Sequence, residues 1–542
     1  MKNPKSRLLV DILRLIKQAA YLEKNNIQAD DLFQEWSQNE EISRRKFLKT
    51  SLTAVAGITL GSTILSCSPK LNQGSNSDIK FDKKQPRIAI IGGGIAGLHC
   101  AYILKKANIR STIYEADRRV GGRIFTKSGI FGENLTTEFG GEFIDSNHTD
   151  MLNLIQEFNL NMNDGFVDFA NKAIVKDAYY FDRRHHSETE VIKEFRKIVD
   201  TLELDRQACG EDYDTPHCEK LDHTSLEAYV RDLKCDTWLQ DLIIYAYTAE
   251  FGLDAGEQSA MNFIDMIGTD TSEGFQIFGS SDERYKIKGG NSLIIEHLTE
   301  RLKSHIKTER KLTSISSKGN SYSLAFENGK NVTADIVVIT IPFTVLREVD
   351  MNIAGMTPEK LACIHQLGYG QNNKLIMGFN GRPWRENATS YSGFLFNETI
   401  HNGWDSGHMQ NDNKGPSSFT AYLGGSPSFE LAKSARALGL KDAASNELVQ
   451  QYLLQLEVVF PGAKNQFTGT HKAALWSNNP FVKASYATYR VGQWTTISGQ
   501  EFTPINNVYF AGEHCSEDFQ GYMNGGAETG RMVAEGIIGR IV

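Results

Sequence analysis

Cysteine is scarce in this chain and basic residues are not in excess, and both shortages exclude classes of protein. Seven cysteines occur in 542 residues without any CxxC pair, and no HExxH motif is present. The local group Cys209, His217, Cys218 and His223 matches no standard zinc spacing, so we predict buried or paired thiols there and no metal. Lysine and arginine number 58 against 66 acidic residues, a net charge of −8. A nucleic-acid partner is therefore not expected, because it requires a concentrated basic face.

Long polar tracts are also missing. Hydrophobic residues make up 40% of the chain and aromatic residues 10%, which is typical of a globular protein rather than a disordered or fibrous one. At 542 residues the chain exceeds the size at which a single core keeps growing. We therefore expect at least two domains, with room for a large buried cavity.

A short apolar run near the N-terminus predicts an export signal. The basic segment Ser43–Lys49 precedes a small-residue apolar run, Ser51–Leu65, that is too short to span a membrane comfortably as a mature helix. The block resembles a twin-arginine signal, and Ile64–Cys67 resembles a bacterial lipobox with Cys67 as the lipidated residue. We therefore expect an exported protein that is periplasmic or anchored to a membrane by lipid. The segments are an N-terminal extension (1–42), a twin-arginine signal with lipobox (43–67) and a polar linker (68–85).

A glycine-rich turn predicts a dinucleotide site. An apolar, strand-like segment runs directly into Gly92–Gly97, after which apolar residues recur at helical spacing. Gly92 permits the tight turn, Gly94 lets the backbone approach a pyrophosphate, and Gly97 lets helix and strand pack closely. The helix N-terminus offers free N–H groups to the phosphates. A second strand-like segment ends at Glu115, where a carboxylate can accept the ribose hydroxyls.

The residues that follow distinguish FAD from NAD. Glu115–Arg123 contains a second glycine pair with flanking arginines, and Glu138–Gly141 contains another glycine pair. These two strings resemble successive motifs of the flavin amine oxidase family. Further matches in the same order extend the resemblance over nearly everything from Arg87 to Val542. They are Tyr285–Asn291, Arg310–Leu312, Ala334–Pro342, Leu367–Gly370, Val508–His514 and Gly521–Gly530.

The resemblance implies roles for three catalytic residues. In the family, a lysine at the place of Lys374 holds a water near flavin N5 and assists reoxidation by oxygen. Ser485 stands where monoamine oxidases have a cysteine bonded to the flavin, so FAD is expected to be held non-covalently. The next residue, Tyr486, and the later Tyr522 correspond to the two walls of an aromatic cage that desolvates the amine.

The same resemblance and the glycine-turn argument assign a larger set of residues to the cofactor. The expected FAD-binding residues are Gly92, Gly94, Ile95, Ala96, Gly97, Glu115, Ala116, Arg119, Gly122, Arg123, Gly140, Gly141, Glu142, Phe143, Leu312, Trp476, Gly512, Glu513, Gly521, Tyr522 and Met523.

The flavin motifs are dispersed, so the fold is expected to be discontinuous. It is an α/β fold with a Rossmann-like FAD-binding domain and an inserted α+β substrate-binding domain. Ser225–Phe278 is predicted to be mostly helical, with no residue assigned to chemistry, and Gly403–Ser417 is predicted to be a loop. The domain ranges are 86–145, 284–345 and 471–542 for FAD binding, and 146–283 and 346–470 for substrate binding.

The expected reaction is oxidation of an amine, with hydride passing to flavin N5 and electrons then to O2. Two alternatives remain open. An L-amino acid oxidase or tryptophan 2-monooxygenase-like enzyme must grip a substrate carboxylate. Such relatives carry an arginine where this chain has Phe143, although Arg382 or Arg490 could substitute. The second alternative is a catalytically inactive, FAD-bearing binding module.

Overall fold

The computed structural model describes residues 85–165, 171, 173–210, 213–272 and 274–541. The predicted N-terminal extension, the export signal at 43–67 and the linker up to residue 84 lie outside the described residues. Within the ranges described, no helix is both long and apolar enough to cross a membrane.

Strands and helices alternate irregularly along the described residues. The strands are β1 (Ile88–Ile91), β2 (Ser111–Tyr114), β3 (Thr126–Ser128), β4 (Thr136–Glu138), β5 (Met162–Asp164), β6 (Ile174–Phe181), β7 (Arg184–His186), β8 (Tyr285–Ile287), β9 (Ile306–Lys307), β10 (Leu312–Lys318), β11 (Ser321–Phe326), β12 (Asn331–Ala334), β13 (Ile336–Ile339), β14 (Asp350–Asn352), β15 (Asn373–Phe379), β16 (Ser390–Asn397), β17 (His401–Asp405), β18 (Ser417–Leu423), β19 (Phe467–Ala474) and β20 (Val508–Phe510). The α-helices are α1 (Ile95–Lys106), α2 (Thr149–Glu157), α3 (Glu188–Phe195), α4 (Val199–Cys209), α5 (Pro216–Asp222), α6 (Leu226–Asp232), α7 (Thr237–Phe251), α8 (Ala260–Met266), α9 (Ser292–Leu302), α10 (Phe343–Leu346), α11 (Pro358–Gln366), α12 (Gly425–Ala437), α13 (Asn446–Val459), α14 (Ala463–Gln466), α15 (Gln493–Thr496) and α16 (Met523–Ile541).

Five strands, ordered β20–β13–β1–β2–β9, form a parallel sheet. Ile88 and Ile90 of β1 pack into one apolar core, whereas Ala89 and Ile91 pack into another. Alternate side chains point to opposite faces, and both faces are covered, so the strand is apolar at every position. The sheet confirms the expected α/β, Rossmann-like fold. Its strands come from widely separated parts of the chain.

The C-terminal helix lies directly beside the first glycine turn. A Cβ atom at Gly530 of α16 would stand 2.3 Å from the backbone oxygen of Ala96 in α1, so only glycine permits this approach. A Cβ at Gly526 would stand 2.8 Å from a methyl carbon of Ile95. Small residues therefore bring the last helix against the start of the first.

A four-stranded sheet, ordered β12–β11–β10–β14, covers part of the parallel sheet's apolar surface. Its last strand, β14, pairs in parallel with β10 through Ser314 and Asp350. This strand lies beyond residue 345, where the sequence places a domain boundary. Backbone pairing, which composition does not reveal, therefore joins strands from the two sides of that expected boundary.

A third sheet has seven strands, ordered β19–β15–β18–β17–β16–β6–β7. Helices α12 and α13 share one apolar core with this sheet, and helices α3 to α8 surround another. Strand β19 pairs with β15, so it belongs to this sheet although it crosses the expected boundary at 471. The predicted loop Gly403–Ser417 is shorter than expected, because β17 continues to Asp405 and β18 already begins at Ser417.

Candidate active site

A cavity of about 310 Å³ lies at the carboxyl ends of the parallel strands. Ile91 at the end of β1 and Thr340 just after β13 both line it. In open α/β sheets, ligands bind at this edge because the loops there diverge to either side. Residues of the seven-stranded sheet also line it, among them Lys374 of β15 and Tyr422 of β18.

The structure brings the residues expected at the site to this one cavity, with a single exception. Lining positions are Gly92, Gly94, Ile95, Ala96, Glu115, Ala116, Arg119, Gly122, Arg123, Gly140, Gly141, Glu142, Phe143, Leu312, Lys374, Trp476, Tyr486, Gly512, Glu513, Gly521, Tyr522 and Met523. Gly97 does not line it. A Cβ there would stand 2.1 Å from the backbone oxygen of Gly92, so Gly97 serves the packing of helix against strand.

The glycine turn is shaped to receive an anion. Gly92 has a φ of 113° and is therefore confined to glycine. A Cβ added at Gly94 would meet nothing within 4 Å, so the backbone there is open toward the cavity. Helix α1 begins at Ile95 without a side-chain cap and without an acidic residue in its first turn. Its N–H groups and the positive end of its dipole are thus available to phosphate oxygens.

Glu115 stands at the end of β2, beside this turn. Its carboxylate accepts hydrogen bonds from the backbone N–H of Gly93 at 2.6 Å and of Asp117 at 2.8 Å. Burial raises the pKa of Glu115 although both hydrogen bonds act in the opposite direction. A carboxylate oxygen accepts more than one hydrogen bond, so the group retains capacity for ribose hydroxyls.

Glu513 connects three segments that line the cavity. It forms an ion pair with Arg123 at 2.7 Å and accepts hydrogen bonds from the backbone N–H groups of Ala487 and Gly521. The side chain of Glu513 is 7% exposed. Glu513 therefore fixes the first glycine motifs, the tyrosine segment and the start of the last helix relative to one another.

Lys374 is buried and fully hydrogen-bonded. Its ammonium group donates to the backbone oxygens of Glu138 and Gly140 and to the Glu142 carboxylate, at 2.8 to 3.1 Å. An ammonium group has three protons, so each has a protein acceptor in this arrangement. The water that the family resemblance places on this lysine would have to replace one of them.

Lys286, which sequence reasoning did not select, completes this group. Its ammonium nitrogen lies 2.8 Å from the other oxygen of Glu142, so one buried carboxylate is held between two lysines. Burial raises the pKa of Glu142, but the two ammonium groups outweigh burial and leave the pKa below its ordinary value. Lys286 lies inside Tyr285–Asn291, a segment that resembles a motif of the family, so the sequence held a signal that could have identified this lysine as a site residue.

The hydroxyl groups of three tyrosines converge at the end of helix α7. Tyr486 donates to the backbone oxygen of Glu250, and the hydroxyl of Tyr522 lies 3.4 Å from the Glu250 carboxylate. The hydroxyl of Tyr422 is 2.9 Å from that of Tyr486. Burial raises the pKa of Tyr486 and of Tyr522 well above the ordinary value, so both stay neutral.

Glu250 owes its position to the way α7 ends. Gly252 takes a left-handed conformation, with φ of 69°, and its N–H bonds to the backbone oxygen of Thr248. This C-terminal arrangement stops the helix and leaves Glu250 in its last turn, facing the cavity. The residue falls in Ser225–Phe278, a segment to which the sequence assigned no chemistry, because its spacing there matches an ordinary helix.

Two further carboxyl groups, Asp145 and Glu283, line the same cavity. The pKa is raised to about 6 for Asp145, to about 7 for Glu250 and to about 8 for Glu283, and burial is the largest cause in each case. The neighbouring carboxyl groups raise these pKa values further. No motif of the sequence marked this group.

The arginines considered for carboxylate binding lie elsewhere. Arg382 is 2% exposed and donates to Asp405 at 2.9 Å, and Arg490 pairs with Glu257 at 2.7 Å. Neither lines the cavity, whereas Phe143 does. Neither arginine is therefore placed to receive a substrate carboxylate in this cavity, because each is paired with an acidic residue away from it.

The fold and the cavity define an oxidoreductase built around a dinucleotide. A family model described as flavin containing amine oxidoreductase matches residues 95–538, and the chain belongs to this family. It is 24% identical over 479 residues to polyamine oxidase 4 of Oryza sativa subsp. japonica, across 83% of this chain and 88% of that protein. It is also 24% identical over 480 residues to a putative L-amino-acid oxidase of Bacillus subtilis, across 82% and 93%.

A solved structure of putrescine oxidase bound to putrescine has the same fold. The TM-score is 0.68 at 18% identity, and the match covers 84% of this chain and 99% of that one. The chain is thus a flavin-dependent oxidoreductase acting on CH–NH2 or CH–NH groups, with FAD as cofactor.

The residues of the cavity fit FAD held without a covalent bond. The open backbone at Gly94 and the uncapped start of α1 suit the pyrophosphate. Ser485 lies where a flavin-bonding cysteine would be, and its hydroxyl donates to Asn372 at 2.6 Å. None of the cysteines in the described ranges lines the cavity.

Proposed function

We propose that the protein is an FAD-dependent amine oxidase. Bound FAD supplies the oxidant, since it accepts a hydride at N5 from the carbon next to the amine nitrogen and is reoxidised by O2 to give H2O2. The substrate leaves as an imine, which hydrolyses to an aldehyde or ketone. One observation carries the proposal: Lys374, Tyr486 and Tyr522 line the same cavity as the glycine turns from both ends of the chain.

The tyrosines are proposed to hold the reacting amine. Their aromatic faces exclude water from it, and their hydroxyl groups, bonded toward Glu250, keep the rings in place. Because both side chains stay neutral, they introduce no negative charge that would hold the amine in its protonated form. A neutral amine is needed, since its nitrogen lone pair assists departure of the hydride.

Lys374 is proposed to assist the reaction with oxygen. It places a buried positive charge at the cavity wall, where negative charge develops as O2 is reduced. Its contacts with Glu138, Gly140 and Glu142 hold that charge in one position. No acid or base needs to act on carbon in this scheme.

An L-amino acid oxidase is the second candidate, because one relative carries that name. Such an enzyme needs a cation to receive the substrate carboxylate. The cavity presents Phe143, Asp145, Glu250 and Glu283, and the acidic side chains disfavour a carboxylate beside them. Of the cations that line it, Arg123 is already paired with Glu513 and Lys374 with Glu142. An inactive FAD-bearing module is less favoured still, because Lys374 and both tyrosines are retained.

Peroxide release by the FAD-loaded protein over a panel of amines and amino acids tests the proposal. We expect turnover with amines and none with amino acids. Turnover with amino acids alone would replace the proposal with an amino acid oxidase. A yellow, FAD-loaded protein that oxidises no compound of either panel would leave only the inactive binding module.

We further propose that the protein is exported and anchored by lipid at Cys67, as the motifs at 43–67 indicate. Fractionation of cells fed a labelled fatty acid tests this. The wild-type chain is expected to carry label in the membrane fraction, whereas Cys67→Ser is expected to appear unlabelled in the soluble fraction. Label that persists in Cys67→Ser would contradict the assignment.

A further inference from the structure

The positive charge of Lys374 is opposed by a carboxylate in direct contact with it. The Lys374 ammonium nitrogen lies 2.8 Å from one oxygen of Glu142, and both residues are 5% exposed. An ion pair this close has a weak field at a distance, because the two charges largely cancel. Lys374 and Glu142 alone would therefore offer little positive charge to oxygen at the cavity wall.

Lys286 supplies the missing charge although it does not itself line the cavity. Its ammonium nitrogen lies 2.8 Å from the other oxygen of Glu142. Two ammonium groups and one carboxylate leave one net positive charge on the group. Glu142 is needed as well, because desolvation disfavours two buried cations without a counter-charge.

The contacts of Lys286 hold its charge in one position. Lys286, on strand β8, donates to Glu142 at 2.8 Å and to the backbone oxygen of Ser406, which follows β17, at 2.9 Å. Its ammonium nitrogen also lies 5.4 Å from the centre of the Phe143 ring. A charge fixed in advance stabilises developing negative charge without the cost of reorganisation.

One further acid bears on the charge of this group. Glu138 is 4% exposed, and its carboxyl group receives the hydroxyl of Thr126 and the backbone N–H of Asn291. Burial is the largest cause that raises the pKa of Glu138 to about 7, so the side chain is mostly neutral below that pH. The net positive charge of the group is therefore retained in mildly acidic solution.

We propose that Lys286 is a positioning residue for the reaction with oxygen, because it neutralises Glu142 and so leaves the charge of Lys374 free to act. This inference rests on the proposed oxidase. In that reaction O2 takes two electrons and one proton from reduced FAD and a second proton from solvent, and it leaves as H2O2. A net positive charge stabilises negative charge on oxygen and favours the reduced, more electron-rich flavin.

Variants that differ in charge test this role in FAD-loaded protein at pH 6, below the pKa of Glu138. Lys286→Met removes one positive charge, Glu142→Gln removes the negative charge, and the double variant keeps the net charge of the wild type. Lys433→Met, at a side chain that is 62% exposed, is the control. One readout is the ratio of reduced to oxidised flavin at equilibrium with a reference dye. The other is the rate constant of reoxidation by O2 after photochemical reduction.

We expect Lys286→Met to lower both the ratio and the rate constant by about tenfold, the effect of one charge acting across several ångströms of protein. Glu142→Gln is expected to raise the ratio. The double variant, Lys286→Arg and Lys433→Met are expected to match the wild type in both readouts.

Wild-type values of both quantities in Lys286→Met would overturn the role, whatever the Tm of that variant. A double variant that behaves like Lys286→Met would overturn it too, because Lys286 would then act through packing and not through charge. Neither readout needs an amine. Failure of every amine to reduce the flavin would therefore overturn the oxidase and leave the effect of Lys286 measurable.

Discussion

At the scale of single residues, the cavity depends on a carboxylate held between two lysines. Glu142, Lys286 and Lys374 are each 5% exposed. Removing one member of such a group leaves a buried charge without its partner, which commonly costs several kcal/mol, about 3 to 5. Substitutions here therefore need a readout that separates chemistry from stability.

Lys374→Met keeps the length of the side chain and removes its charge. We expect it to slow flavin reoxidation by O2 more than flavin reduction by amine, because the charge acts as O2 is reduced. Stopped-flow measurement of the two half-reactions checks this. Lys433→Met, at a side chain that is 62% exposed, serves as control. Equal slowing of both half-reactions would remove the assigned role.

The tyrosine pair is tested by truncation. Tyr486→Ala and Tyr522→Ala are expected to raise KM and lower kcat while FAD stays bound, because the rings contact substrate and Glu513 and Arg123 still fix the surrounding segments. Steady-state kinetics and the flavin absorbance of the purified variants distinguish a role in substrate binding from a role in packing. Loss of FAD would mean that the rings are packing residues.

The raised pKa of Glu283 predicts a dependence of stability on pH. Its pKa is about 8 in the fold against an ordinary 4.5, so between these values the native state holds a proton that the unfolded chain has released. Stability attributable to Glu283 therefore falls as pH rises through this window. The side chain of Glu283→Gln cannot ionise. As the pH rises from 4.5 to 8, its free energy of unfolding should therefore increase relative to that of the wild type by about 1 kcal/mol or more. Urea unfolding of both proteins at the two pH values measures this, and a difference that does not change with pH would contradict it.

At the scale of elements, Gly94 and Gly97 have different roles where strand β1 turns into helix α1. Gly94 has extended, negative-φ geometry and open space around its missing Cβ, whereas a Cβ at Gly97 would clash with the backbone of Gly92. We expect Gly94→Ala to weaken FAD binding with little change in stability of the apoprotein, because the methyl group occupies space for the pyrophosphate. Gly97→Ala is expected to destabilise the apoprotein itself.

Titration with FAD and urea unfolding of the two apoproteins measure these effects. Each variant serves as the control for the other, since the two differ only in the position of one methyl group. Equal loss of stability in both would contradict the division of roles.

The same turn shows what the sequence reveals and what it does not. Strand β1, the glycines and helix α1 follow one another within the chain, so local patterns predict them. Lys374 and the tyrosines were identified from motifs that resemble the family's. Asp145, Glu250 and Glu283 are brought together only by the fold, and each lies in a segment whose local pattern is that of an ordinary helix or loop. The pairing of β14 with β10 escaped prediction for the same reason, because β11, β12 and β13 lie between the two strands in the chain.

At the scale of the whole molecule, one cavity joins segments from both ends of the described chain. Glu513, near the C-terminus, contacts Arg123 of the first glycine motifs, and Lys374 of the seven-stranded sheet contacts Glu142, which follows β4. The walls of the cavity therefore form only when these distant segments are folded together. This explains why the residues of the site are scattered through the sequence.

Anaerobic mixing of the FAD-loaded protein with an amine tests the central claim most directly. A chain that binds FAD in this cavity and oxidises amines should lose its oxidised-flavin absorbance on mixing and recover it, with release of H2O2, when O2 is admitted. A purified protein that is colourless and takes up no FAD, or whose bound flavin stays oxidised with every amine, would contradict it.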